Sequence, residues 1–200
     1  MSEKHVVTEL VEIPLAVPFD HFIKRFIADF EPVLLAQSGI MSVWTGKAHY
    51  GASDTNRKTA VSLTQWESLG AHEAFLASPA AGPFFEGMQP LTTGPPKVEH
   101  YQLGRLDAGD GATSKMTVQK YDVGGSKQPL QTLHEEAVKK SLRSRMSLCM
   151  EERTQATVLS FSSIYTPVNY QTLPSRGVKK TSSFTVEWYS KGTGTRNSHL

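Results

Sequence analysis

Apolar and polar residues alternate through residues 5–15 (HVVTELVEIPL), and the β-branched content predicts a strand. The period then changes. Phe19, Phe22, Ile23, Phe26, Ile27 and Phe30 recur at the spacing of one helical stripe, with Asp20, Lys24, Arg25 and Asp29 on the other side. This predicts a helix over about 18–37, with Pro32 bending or tightening its last turns and Gly39 stopping it. Residues 40–50 and 57–66 predict two strands around a turn rich in Gly, Ser, Asp and Asn. Ser68 is placed to cap a helix with Leu69, His72, Phe75 and Leu76 on its inner face. Ser78-Pro79 opens a further helix offering Phe84, Phe85, Met88 and Leu91, and residues 97–104 alternate again as a fourth strand. The order βαββαβ predicts an α+β fold, a ferredoxin-like sandwich with helices on one face of an antiparallel sheet.

The pattern then restarts. Residues 107–114 read as a linker by composition, and 116–123 predict a strand. Pro129 opens a helix carrying Leu130, Leu133, Ala137 and Val138, and the basic residues Lys139, Lys140, Arg143 and Arg145 are assigned to it. Residues 156–166 and 182–190 predict the second and third strands of this unit, and Trp188-Tyr189-Ser190 echoes Trp66-Glu67-Ser68. The expected organisation is a first unit over 1–106, a linker over 107–114 and a degenerate second ferredoxin-like unit over 115–200 (strand, helix, two strands, polar tail). A partial sheet cannot bury its apolar face alone, so the second unit must lean on the first or on another chain.

Composition narrows the picture only slightly. The chain has 200 residues, 38% of them hydrophobic and 20% charged, which suits a packed core and excludes wholesale disorder. The formal charge of +2 gives no reason to invoke nucleic acid. Residues 1–106 carry 8 Lys/Arg against 11 Asp/Glu (−3), and 107–200 carry 13 against 8 (+5), an asymmetry that fits solvated faces before an acidic partner. Cys149 is the only cysteine and reads as a core thiol in a helix with Met146 and Met150. A single cysteine suits a reducing, cytoplasmic setting. Nothing predicts a membrane span. The terminal Ser198-His199-Leu200 resembles the Ser-Lys-Leu peroxisomal address, which is the alternative location.

Trp66-Glu67-Ser68, Ala71-His72-Glu73-Ala74-Phe75 and Ser78-Pro79-Ala80, lying between strands, resemble the dimeric α+β barrel superfamily. The similarity is to its antibiotic-biosynthesis-monooxygenase-like and stress-responsive A/B barrel branches. It is best over about 5–104 and weak over 115–190. The resemblance implies two ferredoxin-like sheets packed face to face, as a homodimer or a fused pseudo-dimer. It also implies a small-molecule cavity between sheet and helices. Members of the family oxidise or cyclise polyketide-like phenols without metal or flavin, others degrade haem, and some have no known activity. The His, Tyr and His of the polyketide-cyclase members fall on Ala60, Phe75 and Ala81, so that machinery is absent.

The residues left to carry chemistry are histidines, since an aromatic substrate and a proton transfer need a group titrating near neutrality. The catalytic candidates are His72, His49 and His100; the substrate-binding candidates are Trp66, Tyr101, Phe75 and Trp44. For His72 a half-buried packing role stays open beside the acid/base one. His49 could mark a strand end or a pocket mouth. Of His100 and Tyr101 one faces the helices, and the alternation does not say which. Trp66 could be core or a stacking wall for a flat ligand. No metal-ligand spacing, phosphate loop or nucleophile elbow is present, so neither metal nor cofactor is expected. The leading function is a cofactor-independent tailoring enzyme of secondary metabolism. It would act on an aromatic polyketide or phenolic intermediate by cyclisation, isomerisation or O₂-dependent oxidation. The alternative is a non-catalytic binding or accessory protein of the same fold.

Overall fold

Eight strands form one antiparallel sheet in the computed structural model, which describes residues 6–51, 58–106, 115–122, 143–148, 155–161 and 179–194. They are β1 (Val7–Pro14), β2 (Ile40–Tyr50), β3 (Thr59–Trp66), β4 (Lys97–Tyr101), β5 (Lys115–Asp122), β6 (Arg143–Leu148), β7 (Gln155–Phe161) and β8 (Lys179–Thr193). The spatial order is β4-β1-β3-β2-β8-β5-β7-β6. Numbered within each half, the order 4-1-3-2 occurs twice, and it is the ferredoxin-like order. The two halves join where β2 pairs with β8.

The helices among the described residues lie in the first half. α1 (Phe19–Arg25) and α2 (Glu31–Leu35) are joined without a break by a π turn, Phe26–Phe30, in which the Glu31 N–H donates to Phe26 O. Pro32 has no N–H for the carbonyl four residues earlier. The helix accommodates this by widening rather than tightening, and the extra residue turns Ile27 outward while Phe22, Phe26 and Phe30 stay buried. Gly39 ends the run with φ +80°, a conformation that favours glycine. α3 (Leu69–Leu76) begins at Ser68, whose Oγ accepts from Ala71 N at 3.2 Å. Its buried residues are His72 and Phe75, whereas Leu69 and Leu76, expected on the inner face, are exposed. α4 (Ala81–Met88) starts two residues after Pro79, since Ala80 takes the cap position.

The sheet has two cores because its two faces meet different partners. On the helix side Ile13, Phe22, Phe26, Phe30, Val43, Trp66 and Phe75 belong to one cluster. On the other side Leu10, Trp44, Leu63 and Tyr101 of the first half pack with Met116, Val118, Phe184 and Val186 of the second. All eight residues of β3 are buried, as expected for a strand covered on both faces. The curl of the sheet is marked by Lys120 on β5. Its ammonium contacts Glu12 on β1 at 2.6 Å and also Glu99 on β4, although β3, β2 and β8 lie between β1 and β5 in the sheet. The halves therefore face each other across a shared interior, as in an intrachain pseudo-dimer.

The second half departs from the periodicity in one respect. Arg143, Arg145 and Met146 lie on β6, not on a helix. β6 pairs with β7 and ends the order of the sheet among the described residues. Consequently the strand expected at 156–166 takes the third position and that at 182–190 the fourth. The helix predicted from Pro129, the thiol of Cys149 and the terminal Ser198-His199-Leu200 lie outside the described residues. No helix among the described residues is long and apolar enough to cross a membrane.

Candidate active site

A cavity of about 560 Å³ lies between the first-half sheet and its helices. It exists because the helix-facing side of β3 carries Ala60, Ser62 and Thr64, short side chains that leave the floor low. Phe26, Phe75, Phe84, Phe85 and Met88 form the opposite wall, and residues 92–96 close one side. Phe75 and Phe84 meet edge to face at 5.6 Å, as do Phe84 and Phe85 at 5.3 Å, so the wall is a tiled aromatic surface.

The titratable groups in this lining are Glu9 and His72. Their position follows from strand register. On β1, Leu10 and Glu12 point into the shared interior, so Glu9, Val11 and Ile13 point to the helices. On β4, Glu99 and Tyr101 point into the interior, so His100 points to the helices. Glu9 and His100 are direct cross-strand partners. His72 descends on them from the first turns of α3. Its Nδ1 lies 3.2 Å from His100 Nε2, and its Nε2 lies 3.5 Å from a Glu9 carboxylate oxygen. The other Glu9 oxygen accepts from the Trp66 indole N–H at 3.2 Å. The His72 side chain is 8% exposed and that of Glu9 13%.

Of the residues singled out in the sequence, His72 and Phe75 line the cavity, and His100 joins them through its contact with His72. Trp66 lies beneath, fully buried, stacked on Phe75 with centroids 5.9 Å apart and 5.4 Å from the His72 ring. It supports the site and orients Glu9 but presents no face to a ligand. The remaining three lie elsewhere. His49 pairs with Glu187 at 3.3 Å on the partly exposed seam between β2 and β8. Trp44 meets Trp188 edge to face in the shared interior, under the Lys191 ammonium. Tyr101 donates to Glu99 there, at 3.2 Å. Period-2 alternation places each on the face away from the cavity or at its margin. Ala60, Phe75 and Ala81 all belong to the helix-side core, and of the three Phe75 lines the cavity, an apolar ring where the resemblance places a proton-transfer group.

Glu9 was missed by sequence reasoning, although a signal existed. Within HVVTELVEIPL it shares a face with Val11 and Ile13, and an acid in the middle of an apolar face implies a partner.

No family model matches this sequence, and no curated protein matches it either. The fold does match solved structures. An anthrone oxidase-like protein superposes with TM-score 0.67 at 13% identity, covering 96% of this chain and 94% of that one. A candidate monooxygenase from Fusobacterium nucleatum gives 0.66 at 7% identity, with 96% of both chains covered. Another from Lactobacillus acidophilus gives 0.58 at 10%, covering 94% and 96%. At such identities the likeness establishes the fold, the dimeric α+β barrel in single-chain form, and leaves the chemistry to the site.

Proposed function

We propose that the chain is a monooxygenase-type enzyme that acts in this cavity on a flat phenolic or polyketide-derived compound. The observation that carries the reading is the meeting of Glu9, His72 and His100 at the wall of an otherwise largely apolar cavity of drug-like size. A tiled aromatic wall suits a fused-ring substrate. Anthrone-like compounds, suggested by the name of one structural neighbour, have a methylene whose proton is acidic because its loss gives a phenolate. His72 takes that proton, Glu9 stabilises the imidazolium, and His100 offers the proton a path onward. O₂ adds to the resulting carbanion, and the hydroperoxide loses water to leave a carbonyl. In balance, CH₂ and O₂ give C=O and H₂O, with four electrons passing from carbon to oxygen. The reading asks nothing of a prosthetic group.

The test is O₂ uptake and quinone absorbance with a simple anthrone. His72→Gln should lower kcat by about 10²–10⁴-fold, the usual contribution of a positioned base. Turnover in His72→Gln equal to the parent would overturn the mechanism. Tight binding of phenols by the parent, with no O₂ uptake across a panel of them, would instead support the accessory-protein alternative.

A further inference from the structure

We propose that Glu9, His72 and His100 form a binding site for one divalent transition-metal ion of the zinc–cobalt class. Each residue offers one ligand atom, and these atoms lie within 4.8 Å of one another. Metal–nitrogen and metal–oxygen bonds run about 2.0–2.2 Å. Ligand atoms on one ion are therefore at most roughly 4 Å apart, so binding would draw the three side chains together, and because His72 meets Glu9 through Nε2 and His100 through Nδ1, only one of its two nitrogens would take the ion. Two imidazoles and a carboxylate match borderline cations in preference to calcium or magnesium, which favour all-oxygen shells.

Three further observations point the same way. The ligands come from three elements with fixed relations: Glu9 and His100 are register partners on β1 and β4, and His72 is held by the capped helix α3. The Trp66 indole binds one Glu9 oxygen and thereby aims the other at His72, the outer-shell arrangement that orients metal-ligating carboxylates. Among the described residues the cavity lining contains a carboxylate and neither lysine nor arginine, so a bound cation would complement the charge that this lining holds against apolar walls. Three protein ligands leave a coordination position open, and Glu9 and His72 place it toward the cavity, where a phenolate oxygen could occupy it. The ion would occupy a nitrogen of His72, the residue that the base mechanism uses, so the two roles belong to different states of the site and separate experimentally.

The experiment uses the full chain, stripped with chelator and titrated with Co²⁺ alone. Visible d–d absorption saturating at one equivalent, with a raised melting temperature, is expected. Glu9→Gln and His100→Gln, close in size to the residues they replace, should each weaken Co²⁺ binding at least 100-fold. Trp66→Phe, which removes the oriented N–H donor together with part of the buried ring, should weaken it by about 10–100-fold. His49→Ala, which breaks the surface His49–Glu187 pair, should leave the spectrum unchanged. Absence of a one-equivalent spectrum in the parent overturns the proposal, as does a spectrum that survives both Glu9→Gln and His100→Gln. If Glu9→Gln fails to fold, His100→Gln and Trp66→Phe decide. Turnover by chelated protein bears on His72 as base and is independent of the metal result.

Discussion

The contact that most directly tests the pseudo-dimer is the ion triad in the shared interior. Lys120 belongs to the second half, and Glu12 and Glu99 belong to the first. Their side chains are 5%, 10% and 8% exposed. Lys120→Met keeps the length and removes the charge. Two carboxylates are then left facing each other with their cation gone, and breaking a buried pair in this way costs about 3–5 kcal/mol. The lower end is expected here. Tyr50 still donates to Glu12 at 2.8 Å, Tyr101 still donates to Glu99, and Lys97 still contacts Glu99 at 2.9 Å. A loss of about 3 kcal/mol is a large share of the 5–15 kcal/mol typical of a folded protein. With a urea slope of about 2–3 kcal/mol/M, it moves the midpoint by about 1 M.

The pH dependence sharpens this test. In the parent, burial pushes the Glu99 carboxyl up, but its bonds to Lys120 and Lys97 more than offset that and hold it below 4.5. A depressed carboxylate stabilises the fold above its unfolded value and loses that contribution as pH falls through the folded one. Without Lys120 the balance moves toward the protonated form, because burial and the facing carboxylate are then opposed on Glu99 mainly by Lys97. The variant should therefore recover relative to the parent as pH falls from 7 toward 4.5. Urea unfolding at pH 7 and pH 5 measures both points. A variant within about 1 kcal/mol of the parent at pH 7 would refute the reasoning, as would a deficit that is the same at both pH values.

Two further outcomes follow from the packing. Gly46 sits at the bulge of the β2–β8 seam, where an added Cβ would meet Glu187 O at 2.4 Å, backbone that cannot give way cheaply. Gly46→Ala should destabilise the fold by about 1–3 kcal/mol, the usual range for forcing extra atoms into packed structure, and should increase proteolysis between the halves; an unchanged melting temperature would contradict the seam. Phe75→Ala removes the ring between Trp66 and Phe84 and should cost about 3 kcal/mol, the low end for a buried aromatic because one face already looks into the cavity. It should also weaken phenol binding in a thermal-shift titration, and unaltered binding would remove the tiled wall from the argument.

The first-half elements were legible because their signals are local. The Phe19 to Phe30 stripe, the Ser68 cap and Gly39 each act within one or two turns of chain. Errors arose where a local rule met a tertiary preference. Ile27 fits the helical stripe on paper, but Pro32 widens the preceding turn and rotates it outward. Arg143 to Leu148 carries enough charge to read as helix, yet it pairs with β7 as a strand. The site was half legible. Histidine content pointed to His72 and His100, and the alternation of β4 permitted His100 on the helix face. Trp44, Tyr101 and His49 were equally plausible by type; the faces of their strands separate Trp44 and Tyr101 from the cavity, and the position of His49 on the partly exposed β2–β8 seam separates it.

The sequence by itself determined the βαββαβ order of the first half, its caps and stops, and the apolar stripes that make two sheet faces buried. These depend on periods of 2 and 3.6 residues and on the backbone preferences of Gly, Pro and Ser. Tertiary structure decided what no period records. The curl of the sheet brings Lys120 to Glu12 across three intervening strands, and the β1–β4 register sets Glu9 beside His100 beneath His72. Residues 9, 72 and 100 are distant in sequence, and their meeting comes from pairing and packing, where the free energy of folding is spent.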